Sequence, residues 1–449
     1  MYRDKIPDMK KCVAPLWLFS ALTLLSGCSE LPDAVEKRGP RVELSPAREV
    51  LMGERVSVRL AGLAPGEEVE LVATTSLHGR PHRSSASFVV GPDGVVDLSE
   101  QAPIAGSYTG ADALGILWSM ERVESEADVP RSLEDVNEVL FELVRGDVVV
   151  AEQELRQVIR ATDVEVSDVR DDGLVGAFAS PTGGPPRPAV LLVGGSSGGI
   201  EWQALMARLL ASRGYAALGL AYFDMDELPE HLDEVPLEYF ERALAWLRAR
   251  PDVDSDRIAV CGVSKGGELA LLLGATYPEV RAVVAFVPSS VVFQSIHPTW
   301  HATSSWSLQG TGLPFVPYDS ATARSGADLL EIYKASLRDE DRVNASAIPV
   351  ENTNGPILLF SGGDDSIWPS AAMSEQVIAR LERHGHPYPY VHQPHPLAGH
   401  SIARPVIVGS ATMTRNGGTP SANAEATLEG WQRLLAFLNE HFGEAAGGE

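Results

Sequence analysis

Arg257-Ile-Ala-Val-Cys261-Gly262-Val263-Ser264-Lys265-Gly266-Gly267-Glu268-Leu269 is the stretch on which the fold turns. Its apolar run, Arg257 to Cys261, predicts a strand, and Gly267 to Thr276 predicts a helix stopped by Tyr277-Pro278. Between them stands G-x-S-x-G. A serine on a sharp strand-to-helix turn holds a strained backbone, and the flanking glycines relieve the crowding. The motif alone is weak, but its place between a strand and a helix makes Ser264 a candidate nucleophile on an elbow.

Outward from the elbow the pattern is strand–helix alternation from about Val164, the signature of a parallel sheet covered by helices. Pro188 to Val193 and Ala216 to Ala221 are continuous apolar runs, as strands buried on both faces should be. Val280 to Val287 and Pro356 to Phe360 read as further strands. Trp202 to Arg213, Leu237 to Arg250, Gln376 to His384 and Leu428 to Phe442 read as helices. Before Arg160 the reading changes. Arg55 to Leu60, Glu67 to Ala73, Ser84 to Val90, Val95 to Leu98 and Val139 to Val144 are short and strand-like, separated by Ala64-Pro65-Gly66 and Gly91-Pro92-Asp93-Gly94. The expected architecture is a β-sandwich over residues 41–160 followed by an α/β-hydrolase domain over 161–449.

An α/β hydrolase orders its triad as serine, acid, histidine. Pro356 to Asp365 supplies a strand with an acidic loop at its end. Asp364 and Asp365 both qualify, and Asp365 is preferred because Asp-x-x-Trp-Pro369 fits the common hydrolase pattern, leaving Asp364 to cap a turn. His400, after Ala398-Gly399 on a loop past a strand, is the candidate base, with His392 and His395 as rivals. The oxyanion would take one backbone N–H from Lys265 and another from Gly194 to Gly199, with Gly195 and Ser196 the nearest donors. That loop lacks the lysine of a P-loop, which argues against phosphate binding.

The chain of 449 residues carries 36 basic and 61 acidic residues, net −25, so nucleic acid is not an expected partner. The three cysteines, Cys12, Cys28 and Cys261, form no zinc-spaced pair, so no metal site is expected, and no cofactor is implied. Residues 1–27 read as a signal peptide: Arg3, Lys5, Lys10 and Lys11 precede the apolar Val13 to Leu25. Leu25-Ser-Gly-Cys28 resembles a bacterial lipobox. The expectation is lipidation at Cys28, a tether over residues 28–40, and attachment to the membrane of the cell envelope. Removal of residues 1–27 leaves 32 basic and 59 acidic residues, net −27. Nothing in the sequence sets an oligomeric state.

The motifs together resemble the acyl-CoA thioesterases grouped with bile acid-CoA:amino acid N-acyltransferase. The resemblance rests on Gly106-Ser-Tyr-Thr-Gly110 with Leu114 to Trp118, on Gly194 to Gly199, and on Leu220 to Phe223 with Leu228-Pro229. Leu237 to Glu241, Gly262 to Leu269, Ile348 to Glu351, Asp364-Asp365 with Trp368, and Gly399-His400 complete it. It spans roughly residues 41–445. It implies an immunoglobulin-like sandwich before the hydrolase domain, a Ser264–His400–Asp365 triad, and an acyl-enzyme formed from a thioester or ester. The transferase branch resembles a cysteine arrangement; Ser264 stands there in this chain, which favours hydrolysis over transfer. Residues 288–343, with Phe293, Trp300, Trp306, Phe315 and Tyr318, fall where hydrolases insert lids and are an expected acyl-binding wall.

Overall fold

The computed structural model describes residues 39–77, 79–124, 135–225, 227–299, 301–407 and 414–443. The leader, Cys28, most of the tether and Trp300 lie outside the described residues. Residues from Gly39 onward belong to one compact unit. Among the described residues, no helix is long and apolar enough to cross a membrane.

The first part is a β-sandwich. A three-stranded sheet runs Arg41–Ser45, Ser57–Ala61, Val96–Asp97. The larger sheet runs Glu49–Leu51, Val148–Val158, Val136–Arg145, Glu68–Leu77, Arg80–Val89, Ala105–Gly106, with Glu121–Arg122 beside Arg80–Val89. Alternation along Glu68–Leu77 and Val136–Arg145 sends Val69, Leu71, Val139 and Phe141 into the core shared with Val58 and Leu60 of the other sheet. The long strand Val148–Val158 escaped the sequence reading because it is largely exposed and acidic, with weak apolar alternation.

The second part is an eight-stranded sheet in the order Val164–Val169, Val175–Pro181, Ala216–Ala221, Arg187–Val193, Val253–Val263, Ala282–Phe286, Ile357–Gly362, Tyr390–His395. The first two strands join antiparallel and the rest run parallel. Helices Glu201–Ala211 and Pro420–Phe442 cover one face, while Leu237–Arg248, Lys265–Thr276 and Ser370–His384 cover the other. This is the α/β-hydrolase architecture expected. The last helix starts eight residues before the amphipathic stretch predicts. Thr419 caps it, accepting from the Ala422 N–H, and Pro420 opens the first turn, a start signal independent of the apolar face.

The last helix also ties the two parts together. Ala424 and Leu428 enter the sandwich core, and Arg55 pairs with Glu425. Gly53 lies under Trp431 so closely that an added Cβ would stand 2.4 Å from the indole, at a φ of +88°. Asp135 accepts from Arg160 and from Arg208 of the hydrolase part at 2.9 Å, which holds its carboxyl below the usual range.

Candidate active site

Ser264 occupies the turn between strand Val253–Val263 and helix Lys265–Thr276, with φ 58° and ψ −121°. An L-residue there is strained by roughly 1–3 kcal/mol, and the surroundings must hold it. They do so through the backbone: Ser264 N–H donates to Phe286 of the neighbouring strand at 2.9 Å, and the Ser264 carbonyl accepts from Glu268 at 3.0 Å. The motif glycines make room for the turn. A Cβ on Gly262 would stand 1.9 Å from the Gly266 carbonyl oxygen, and one on Gly266 would stand 2.2 Å from that of Gly194. The chain is therefore locked both along the motif and against the glycine loop.

His400 arrives on the loop past the last strand. Its Nε2 lies 2.9 Å from Ser264 Oγ and its Nδ1 lies 2.8 Å from Asp365 Oδ2. Asp365 is buried, and its second oxygen accepts from the N–H groups of Ile367 at 2.9 Å and Trp368 at 3.3 Å. Ser370 donates to the same oxygen that faces His400, at 2.7 Å. Four donors thus fix one carboxylate. The Trp368 ring stands edge-on to His400, and its Nε1–H donates to the Val287 carbonyl at 3.0 Å. Val287 itself carries φ 43°, unusual for a β-branched residue.

Gly195 lies beside the serine: a Cβ there would be 3.2 Å from Ser264 Cβ. Tyr222 Oη donates to the Gly194 carbonyl at 2.5 Å, and Gln203 donates to Gly199 at 3.1 Å, so the loop is tied at both ends. Ser196 is exposed on its crest. Lys265 opens the helix, where the backbone N–H has no intrahelical acceptor.

Two family models match the chain. One, described as BAAT / acyl-CoA thioester hydrolase C terminal, covers residues 235–444; the other, acyl-CoA thioester hydrolase/BAAT N-terminal region, covers residues 53–171. The chain belongs to the acyl-CoA thioester hydrolase/BAAT family. Mouse acyl-coenzyme A thioesterase 6 is 28% identical over 424 residues, spanning 89% of this chain and 96% of that protein. Rat acyl-coenzyme A thioesterase 2, mitochondrial, is 29% identical over 454 residues, spanning 94% and 95%. An acylaminoacyl peptidase of Pyrococcus horikoshii is 14% identical with a TM-score of 0.41, over 89% of this chain and 61% of that one. As a family member the protein is an enzyme of the hydrolase type.

In this family member the rival residues stand elsewhere. Asp364 accepts from Gly418 N–H at 3.0 Å and caps that turn. His392 lies within strand Tyr390–His395 and meets Ser361 Oγ at 2.7 Å; His395 packs flat against Phe360. Burial holds both imidazoles below their ordinary range.

Two aromatics of the expected acyl wall serve core packing instead. Phe293 and Trp306 are fully buried. Phe293 packs on Trp368 and Tyr333, and Trp306 Nε1–H donates to Glu268 at 2.8 Å, so both are structural supports of the site. Tyr318 differs. It lines a groove of about 730 Å³ with Gln294, Asp319, Arg324, Ser336 and Arg342.

Sequence reading also missed the side-chain fate of Lys265. Its ammonium turns inward and meets Glu268 at 2.7 Å, with side-chain exposures of 1% and 0%. Burial pushes the Glu268 carboxyl up and the Lys265 ammonium down, each opposed by its partner. The Phe293 N–H also reaches Glu268, at 3.3 Å. The pair binds the elbow helix to the segment above it. Lys-x-x-Glu is one helical turn, but only the covering segment makes it a buried pair.

Asp233, His297 and His301 offer ligand atoms within 4.8 Å of one another and are not members of the Asp365–His400–Ser264 line.

Proposed function

We propose that the protein hydrolyses an acyl thioester of the acyl-CoA kind through an acyl-Ser264 intermediate. The observation that carries this reading is the hydrogen-bonded line Asp365–His400–Ser264, at 2.8 and 2.9 Å, ending on a strained elbow. Ser264 Oγ attacks the thioester carbonyl while its proton passes to His400 Nε2. Asp365 keeps the imidazole proton on Nδ1 and offsets the imidazolium charge. The oxyanion rests on the Lys265 N–H and on an N–H of the glycine loop, from Gly195 or Ser196. Collapse breaks the C–S bond and the thiol leaves with the His400 proton. A thiol of pKa about 8.5 departs readily, so deacylation places the greater demand on His400. There a water gives its proton to His400 and attacks the acyl carbon. The C–O bond to Ser264 breaks, His400 returns the proton to Oγ, and the acyl group leaves as the carboxylic acid, which ionises in solvent.

The leader extends the proposal: a mature protein held to the envelope membrane by a lipid on Cys28. That location favours a second reading. Acyl-CoA is scarce outside the cytoplasm, and the net charge of −27 left after removal of residues 1–27 opposes a polyanionic leaving group. A carboxylic-ester hydrolase of the envelope, using the same line of residues, fits both facts. Hydrolysis of an acyl-CoA chain-length series beside p-nitrophenyl esters separates the two. A kcat/KM for acyl-CoA above that for esters of equal chain length supports the thioesterase. Ester turnover with none of acyl-CoA replaces it by the esterase, and wild-type rates in Ser264→Ala sink both.

A further inference from the structure

We infer that Asp233, His297 and His301 form a binding site for a borderline-soft divalent cation of the Zn²⁺ class. The three residues come from two connections, Asp224 to Val235 and Pro288 to Ser305, which leave the C-terminal ends of strands Ala216–Ala221 and Ala282–Phe286. Strand Val253–Val263, which delivers Ser264, ends on the same side of the sheet between them. The connections are stitched together nearby by the Ile296 N–H donating to Leu232 at 2.9 Å and by pairing of Val235 with Trp306. The cluster is thus a fixed meeting point of two loops above the sheet edge that carries Ser264.

The donor set suits such a metal. Imidazole nitrogen and carboxylate oxygen bind Zn²⁺ at about 2.0–2.2 Å, which sets neighbouring donors of a tetrahedral site about 3.4 Å apart. His301 Nε2 and Asp233 Oδ2 stand 2.9 Å apart, so exchanging the proton between them for a cation needs an opening of a few tenths of an ångström. The His297 ring lies 4.2 Å from that of His301, centre to centre. His231 stands edge-on to His297, 4.4 Å centre to centre. Sequence spacing hid the group, because His231-x-Asp233 and His297-x-x-x-His301 lie more than sixty residues apart.

The supporting shell is also present. Thr299 Oγ1 lies 2.8 Å from His297 Nδ1 and 2.7 Å from His301 Nδ1. One hydroxyl oxygen has two lone pairs: it can accept from His301 Nδ1–H, which leaves Nε2 of that ring for the metal beside Asp233, and in the loaded site it can accept from His297 Nδ1–H as well. The Thr299 N–H approaches His297 Nδ1 at 3.2 Å and favours the other tautomer there, so loading must shift that proton. Thr303 donates to Oδ1 of Asp233 and turns Oδ2 toward the cluster. A cation here clips the two connections together.

Calorimetric titration of the chelator-stripped full chain with Zn²⁺ tests the inference. The expected result is one Zn²⁺ per chain, with affinity reduced at least tenfold in His301→Ala and in Asp233→Asn. Thr299→Val keeps every ligand and should weaken binding about 10- to 100-fold through the supporting shell alone. Co²⁺ should give the strong visible absorption of a tetrahedral nitrogen–oxygen site in the parent and not in His301→Ala. Melting of the metal-free variants within a few degrees of the parent excludes misfolding as the cause. Failure to bind Zn²⁺ stoichiometrically, or binding unchanged in a His297→Ala/His301→Ala double variant, overturns the inference.

Discussion

Asp365→Asn isolates what one carboxylate does for His400. The amide has the volume of the carboxylate, so packing survives; what changes is which atom faces which donor. Oδ1 accepts from the Ile367 and Trp368 N–H groups, at 2.9 and 3.3 Å. Turning the amide nitrogen to that side would lose both bonds, at about 1 kcal/mol each or more once the N–H groups are left buried. The oxygen therefore stays there and the NH₂ group occupies the Oδ2 position, 2.8 Å from His400 Nδ1 and 2.7 Å from Ser370 Oγ. An N–H donor facing Nδ1 forces the imidazole proton onto Nε2, which then points at Ser264 and cannot accept its proton. The same change in a serine protease triad costs on the order of 10⁴ in kcat, or about 5.4 kcal/mol of transition-state stabilisation. Thiol release followed with a chromogenic disulfide reads the rate, and the buried Cys261 adds no background while the protein is folded. Asp364→Asn is the control: its side chain accepts from the Gly418 N–H, and the change should alter kcat less than threefold. A fall of less than tenfold in Asp365→Asn, or a larger fall in Asp364→Asn, would refute the reasoning.

Other perturbations probe the elbow, the buried pair and the leader. Ser264→Ala should abolish acyl-enzyme formation, read by mass spectrometry with a slow substrate, while near-ultraviolet circular dichroism stays unchanged. Ser264→Gly should be more stable than Ser264→Ala by about 1 kcal/mol in denaturant melts, because the strain that glycine relieves at φ 58° exceeds its larger cost in chain entropy. Glu268→Ala strands a buried ammonium and should destabilise by about 3–5 kcal/mol, whereas Lys265→Met/Glu268→Leu should lose less than Glu268→Ala alone; equal losses would mean the charges are not paired in solution. Cys28→Ser should lose incorporation of a palmitate analogue in growing cells, and equal label on parent and variant would rule out lipidation at Cys28.

The elbow was legible because its rule is local. A glycine-flanked serine between an apolar strand and a helix must turn sharply, and every atom that makes it do so lies within a few residues or on the adjacent strand. Binary pattern likewise exposed the buried parallel strands, since a strand covered on both faces is apolar at every position. The exposed strand Val148–Val158 and the early start of the last helix stayed hidden because neither relies on an apolar periodicity. The Asp-x-x-Trp-Pro369 pattern favours Asp365 over Asp364, but that likeness holds no physical reason of its own. Asp364 and Asp365 are neighbours with the same chemistry, and only the path of the loop turns one toward the imidazole and the other toward Gly418. The aromatics of 288–343 show the same limit: composition marks Trp306 as apolar surface to be covered, but whether a ligand or the protein covers it depends on Glu268 and the elbow helix beneath. The Asp233, His297 and His301 cluster exists only because two distant connections cross. Short-range sterics and burial are written into sequence order; the meeting of side chains many residues apart is set by how the sheet orders its strands, and that is a property of the fold as a whole.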